Sequence, residues 1–345
     1  MRTYVVGLLL AASIVPALPA HAGPAAIEGY VWGWQPGNPN YIAATGYEYS
    51  SVGGAVQIIR PAVGVYQVRF HGMAGAGGVA HASAYGANHL CTVSSYGPSG
   101  TDEVVNVRCF TTAGAAVDTR FVANVTNRTD GAYLGYLWND DPTPPAAGHI
   151  PPAAWSFDST GSTIVVYRSA VGRYQVRLGA FALDSAGLWA SGYLRATAYG
   201  ASAKHCQVLD PALVPDPALI EVRCYDDTGF NVDTRFTLTY SRKLLSASAT
   251  VDLSGMAPVL DGWSNSAGGA PTVTELGVGD YLLTFPGAGV PRGHAIGAIM
   301  ATPPMFCAIH AWWPSAGAEN IWIRCYDGNV GVATPAMMLN IGFTA

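Results

Sequence analysis

GVYQVRF, residues 64–70, decides how this chain folds. A second copy, GRYQVRL, stands at 172–178 and a third, GDYLLTF, at 279–285. In the first copy Tyr66, Val68 and Phe70 alternate with Gln67 and Arg69. In the second, Tyr174, Val176 and Leu178 alternate with Arg173, Gln175 and Arg177. Successive side chains of a strand point to opposite faces, so apolar residues at every second position line one face of a half-buried strand. The heptad predicts such a strand three times over.

The cysteines keep the same beat. Cys91, Cys109, Cys206, Cys224, Cys307 and Cys325 form three pairs, each separated by 18 positions. Six cysteines allow about fifteen connectivities. The repeated spacing predicts Cys91–Cys109, Cys206–Cys224 and Cys307–Cys325. The rival reading, a metal site, lacks any close Cys-x-x-Cys pair. A disulfide closing a loop of about 18 residues stabilises by roughly 3 kcal/mol in the chain-entropy account.

Other landmarks keep step. VVNVRCF (104–110) matches LIEVRCY (219–225) and NIWIRCY (320–326); VDTRF occurs at 117–121 and 232–236; ASAYG (82–86) matches ATAYG (196–200). The unit openings YVWGWQP (30–36) and YLWNDDP (136–142) correspond, and DGWSNSAGG (261–269) is the looser third candidate. Turn signals such as GPSG (97–100) and DDTG (226–229) separate the alternating runs, and no segment carries helical periodicity. The expected architecture is all-β: three tandem antiparallel β-sandwich domains, jelly-roll-like, with one disulfide each and one wet face per strand. The boundaries read as 23–130, 131–246 and 247–345, after a leader at 1–22. Each copy is long enough to hold its own core.

This order of a Tyr-x-Trp opening, G-x-Y-x-V-x-F, a first cysteine, V-x-V-R-C-[FY] and V-D-x-R-F resembles a tandem repeat of secreted bacterial proteins of uncharacterised function, over nearly all of 28–245. The third copy departs from it, with Thr334 in place of Asp118 and Asp233. The heptad is also similar to a strand of C1q/TNF-type jelly rolls. Neither resemblance implies a catalytic residue.

The N-terminus, MRTYVVGLLLAASIVPALPAHA, has one positive charge, an apolar stretch and a small-x-small site at Ala20–Ala22. That layout predicts a secretory signal peptide cleaved after Ala22, hence a secreted, extracellular chain that does not span a membrane once cleaved. Without Arg2 the balance is 16 basic to 22 acidic side chains, a net charge of −6. Nothing in it marks a nucleic-acid partner. Only 11% of residues are charged, against about 25% in a typical soluble domain.

Chemistry-bearing motifs are sparse. Asp118 and Asp233, each two before Arg120 or Arg235, read as strand-face acids pairing with cross-strand Arg108 or Arg223. DDTGFNVD (226–233) spaces its acids a little like a calcium loop; calcium stays open there. His89 and His205 lie two and one before their cysteines, on opposite strand faces, so they do not form one repeated site. G-x-S-x-G and H-E-x-x-H do not occur. The expectation is a protein that is not an enzyme, with no cofactor and no catalytic or metal residues.

Binding is the remaining class. The recurring Trp32 and Trp138, with Trp263 as a third candidate, read as core anchors. Trp34, Trp189 in the longer loop FALDSAGLWASGY (181–193), Trp312 and Trp313 fall where the copies differ, and are the candidate ligand contacts. The function expected is extracellular binding or adhesion, with a glycan or cell-surface ligand. A coat or matrix protein without a discrete ligand, and a secreted hydrolase with its site in the loops, are the alternatives. The oligomeric state is not legible.

Overall fold

The heptads form the strands their alternation predicts. The computed structural model describes residues 26–130, 133–181, 192–209, 219–242, 245–255, 257–291, 293–300, 304–328, 332–335 and 338–344; the leader and Trp189 lie outside them. The first repeat supplies β1 (Glu28–Gly33), β2 (Asn40–Ile42), β3 (Glu48–Ser50), β4 (Val56–Ala62), β5 (Val65–Phe70), β6 (Val79–Ala84), β7 (His89–Ser99), β8 (Asp102–Thr111) and β9 (Phe121–Thr126). The second supplies β10 (Leu134–Asn139), β11 (Ser156–Asp158), β12 (Val165–Ala170), β13 (Arg173–Arg177), β14 (Tyr193–Tyr199), β15 (Lys204–Val208), β16 (Leu219–Asp226) and β17 (Arg235–Ser241). The third supplies β18 (Ala247–Asp252), β19 (Val259–Asn265), β20 (Thr272–Gly277), β21 (Asp280–Phe285), β22 (His294–Met300), β23 (Met305–Ser315), β24 (Ala318–Asp327) and β25 (Met338–Thr344). The heptads are β5, β13 and β21, with Tyr66, Val68, Phe70, Tyr174, Val176, Tyr281, Leu283 and Phe285 buried.

Each repeat is a sandwich of two antiparallel sheets. In the first, β3-β1-β9-β6 faces β2-β4-β5-β8-β7. In the second, β11-β10-β17-β14 faces β12-β13-β16-β15, and in the third β19-β18-β25-β22 faces β20-β21-β24-β23. The three cores are each drawn mainly from one repeat, with neighbours packed on them: Val122, Trp32, Tyr47 and Tyr85 on the third, Tyr199 on the first and Met338 on the second. The disulfides are Cys91–Cys109, Cys206–Cys224 and Cys307–Cys325. Each joins residues directly opposite on neighbouring strands, β7–β8, β15–β16 and β23–β24. Among the described residues no helix is long and apolar enough to cross a membrane.

The glycine that opens the heptad has a fixed task. Gly64, Gly172 and Gly279 all adopt positive φ, between 63° and 71°. Each turns the chain against the backbone of its repeat's second cysteine: the amides of Cys109, Cys224 and Cys325 donate to the three glycine carbonyls at 2.8–2.9 Å. A Cβ on Gly64 would lie 2.5 Å from the Cys109 carbonyl oxygen.

The sandwiches do not hang as beads. β14 of the second repeat runs parallel beside β7 of the first, with Tyr199 opposite Val93. β22 of the third pairs with β15 of the second, Met300 opposite Val208. A bridge between Tyr85, just past β6, and Ile309 of β23 joins the third repeat to the first. The three junctions are equivalent, because Val93, Val208 and Ile309 each stand two positions after the first cysteine of their pair. A head-to-tail interface used three times closes a ring with pseudo-threefold symmetry.

Ring closure corrects one sequence expectation. A strand with one wet face is right for β5, but β9, β17 and β25 are buried on both. Phe236, Leu238 and Tyr240 fill the second core, while Thr237, Thr239 and Ser241 are buried as well. The alternation is present; its polar half faces neighbouring repeats instead of water. A second correction concerns the third opening. β18 (ASATVD) is the counterpart of β1 and β10, since all three pair with the last strand of their repeat. DGWSN belongs to β19, so Trp263 is not equivalent to Trp32 and Trp138. Asp252 stands at their position, and the small Ala247 and Ala249 leave no helical or aromatic signature to find.

Candidate functional site

Asp118 and Asp233 are clamps for the heptad hairpin. The Arg60 guanidinium donates through Nε to Asp118 Oδ1 at 2.8 Å, and the Gly64 amide donates to the same oxygen at 2.9 Å. Arg168 and Gly172 repeat this at Asp233, at 2.9 and 2.8 Å. The partners are therefore Arg60 and Arg168 on the hairpin, not the cross-strand Arg108 and Arg223. Register alone cannot foresee that, because β4 reaches the acid across a turn. The arginine hydrogen bonds hold both carboxyls below the usual carboxylate range. Asp226 likewise caps its own turn, accepting from the Thr228 amide at 2.9 Å and the Phe230 amide at 3.1 Å. Among the described residues no group of three or more His, Cys, Asp or Glu is gathered as a metal site.

Two further acids form an equivalent pair. Glu103 and Glu319 are fully buried, each accepting a long bond of 3.4 Å from a loop amide, Gly75 or Val290. Burial pushes each carboxyl up to about 7, from 4.5. Between those pH values only the folded chain keeps the proton, so stability falls as pH rises through the window and is flat above it. Glu103→Gln and Glu319→Gln are expected to melt higher than the parent at pH 8, with the gap closing towards pH 5. Thermal unfolding across that range checks this, and a pH-independent gap would contradict it.

The tryptophans separate into two groups. Trp32 packs against Tyr47, Tyr85 and, across the ring junction, Trp312, with ring centroids 5.0–5.9 Å apart. Trp138 packs the same way on Trp155 and Tyr199, and these two in turn meet Tyr96 of the first repeat. The recurring tryptophan anchors the joint between sandwiches. Trp312, expected as a ligand contact, is 8% exposed and belongs to this joint; a long apolar side chain on β23 faces the neighbouring repeat because β23 is an inner edge of the ring. Trp34 and Trp313 are each 39% exposed.

Trp34 has a setting of its own. Its ring meets Tyr41 edge-on at 6.4 Å. Tyr41 lies on β2, a three-residue edge strand whose place beside β12 in the second sandwich is held by a single bridge, His149 to Val166. The Tyr41 hydroxyl accepts from the Gln35 amide at 3.2 Å, and Asn38 Nδ2 donates to Gln35 Oε1 at 2.6 Å. Gln57 Nε2 donates to Asn40 Oδ1 at 2.8 Å. The result is an aromatic corner with the Gln35 and Asn38 carboxamides beside it, while Asn40 and Gln57 lie on the other face of the sheet, since Tyr41 stands opposite the buried Ile58.

A second locus lies where the three repeats meet. His81 bonds Thr197 Oγ1 at 2.9 Å through Nδ1 and Thr239 Oγ1 at 2.8 Å through Nε2. Asn340 accepts from the Leu194 amide at 2.9 Å and donates to the Gly192 carbonyl at 3.0 Å. These bonds join first to second repeat and second to third. A cavity of about 70 Å³ is bordered by Cys91, Cys206, Cys307, Arg195 and both His89 and His205. The two histidines share no strand position, yet the ring brings them to one space. His205 lies stacked on Tyr225 with neither ring nitrogen partnered, and burial pushes it down to about 4, so it is neutral at pH 7. A second cavity of about 50 Å³ is bordered by Arg195, His81, His294 and Tyr193.

Arg195, His81 and His294 were not singled out in the sequence. The available signal was YLRATAY (193–199), an arginine in the middle of an otherwise apolar copy of ASAYG's strand. The chain matches no protein-family model, and no curated protein or solved structure matches it.

Proposed function

We propose that this chain is a secreted extracellular binding protein, and that it meets a glycan or cell-surface ligand at the Trp34–Tyr41 corner. The observation that carries this reading is the exposed Trp34 indole set edge-on against Tyr41, with the bonded carboxamides of Gln35 and Asn38 beside them. Aromatic faces take the C–H face of a sugar ring, and carboxamides both donate to and accept from its hydroxyls. Three disulfides suit an oxidising compartment, in keeping with the leader read from the N-terminus. The ring supplies a rigid mount, so little ordering of loops opposes binding.

The test is a glycan array and a cell-envelope pull-down with the mature protein and its Trp34→Ala variant. Binding to a defined glycan or envelope fraction, weakened at least about tenfold in the variant, a loss of about 1.4 kcal/mol, is the expected result. Undiminished binding by Trp34→Ala, or none to any glycan or envelope fraction, would overturn it.

A further inference from the structure

Arg195 is a charge the protein cannot neutralise by itself. It lies in β14, 2% exposed, and a guanidinium does not lose its proton in a protein. Among the described residues no carboxylate pairs with it. Its polar neighbours are the Tyr193 hydroxyl and Asn124, whose Oδ1 accepts from Nη1 at 3.4 Å. A buried cation left without a counter-charge costs several kcal/mol. His81 and Ile296 occupy the equivalent positions in the other repeats, so the charge is present once, close to the pseudo-threefold axis.

The cavity beside it has the complementary features. His294 of the third repeat borders it, 2% exposed, with Nε2 unpartnered. Burial holds this imidazole neutral, pushing it down to about 3, so one ring nitrogen carries a proton to donate. The Tyr193 hydroxyl is also buried without a hydrogen-bond acceptor. The three other ionisable groups at the walls have settled places: His81 is held by two threonines, Glu28 accepts from Arg128 Nη1 at 2.8 Å, and the Tyr30 ring stacks on His294 at 5.1 Å. The space, about 50 Å³, exceeds the roughly 10–15 Å³ that one water requires.

We propose that this cavity holds a small inorganic anion of halide size as the counter-ion of Arg195, with the His294 imidazole and the Tyr193 hydroxyl as further donors. The site takes its cation from the second repeat and a donor from the third, and the first repeat closes it through Tyr30 and Asn124. Bound anion therefore stabilises the closed ring and nothing less than the closed ring.

The experiment uses the full mature chain and bromide as probe. Crystals grown or soaked in sodium bromide are expected to show an anomalous peak within hydrogen-bond reach of Arg195 and His294 Nε2. Thermal unfolding in chloride or bromide, balanced with gluconate to constant ionic strength, is expected to rise by several degrees as halide increases, since a ligand bound only by the folded state stabilises it by mass action. Arg195→Met is expected to remove the halide-specific part of that rise. If the variant does not fold, the parent's bromide peak and halide response decide alone. A cavity holding only water while bromide decorates the surface would overturn the proposal. Bromide at Arg195 without any halide-specific change in melting would mark an adventitious ion only, and would overturn it too.

Discussion

Trp312→Ala is expected to destabilise the protein by about 3–5 kcal/mol, the range for emptying a buried large aromatic site. Trp312 belongs to the third repeat, yet its ring lies against three aromatics of the first: Tyr85 at 5.2 Å, Trp32 at 5.9 Å and Tyr47 at 6.1 Å. Edge-to-face pairs of this kind add about 0.5–1.5 kcal/mol each beyond their buried area. The loss falls on the joint that closes the ring, where the backbone supplies the Tyr85–Ile309 bridge, the Gly86 amide donating to the Ile309 carbonyl at 2.9 Å and the Gly293 amide donating to the Gly46 carbonyl at 3.2 Å. Denaturant unfolding measures the cost. Small-angle scattering below the transition is expected to report an expanded particle as the third repeat swings from the first. A loss under about 1 kcal/mol with unchanged dimensions would show that the cluster does not hold the ring shut.

Gly64→Ala is the second large effect, expected to cost about 2–4 kcal/mol. Positive φ alone costs an alanine about 1–2 kcal/mol. The added Cβ would also meet the Cys109 carbonyl oxygen at 2.5 Å and the Val117 nitrogen at 2.8 Å. Neither can retreat freely, since the Val117 amide donates to that carbonyl at 3.1 Å and Cys109 is tied to Cys91. Gly100→Ala is the internal control: its φ is 65°, nearly that of Gly64 at 66°, with nothing within 4 Å of an added Cβ. Its cost is expected to stop at the conformational term. Equal losses at the two sites would show that the close approach relaxes and that only φ matters.

The parts of the fold legible in the sequence are those set by local geometry. Tyr66, Val68 and Phe70 declare a strand because the pleat has period two, and Tyr174 and Val176 follow the same rule. The cysteine pairing followed from equal spacing because two strands joined by a hairpin bring residues into register at a set separation. Asp118 was visible as a repeated acid but not as the partner of Arg60, which stands 58 positions earlier across a turn. The candidate contacts fared unevenly for a like reason. Trp34 and Trp312 differ little as sequence; one borders water and the other a neighbouring sandwich.

Periodicity, spacing and turn chemistry thus determined, by themselves, the all-β class, the three sandwiches, their inward faces and their disulfides. All of these depend on residues near one another along the chain or repeated at a constant interval. Only the tertiary structure decided what lies against the other face. Polar residues such as Thr237, Thr239 and Asn340 look alike whether they meet water or one another, and only ring closure, through pairings more than a hundred residues apart, turns that face into a buried interior with Arg195 in it.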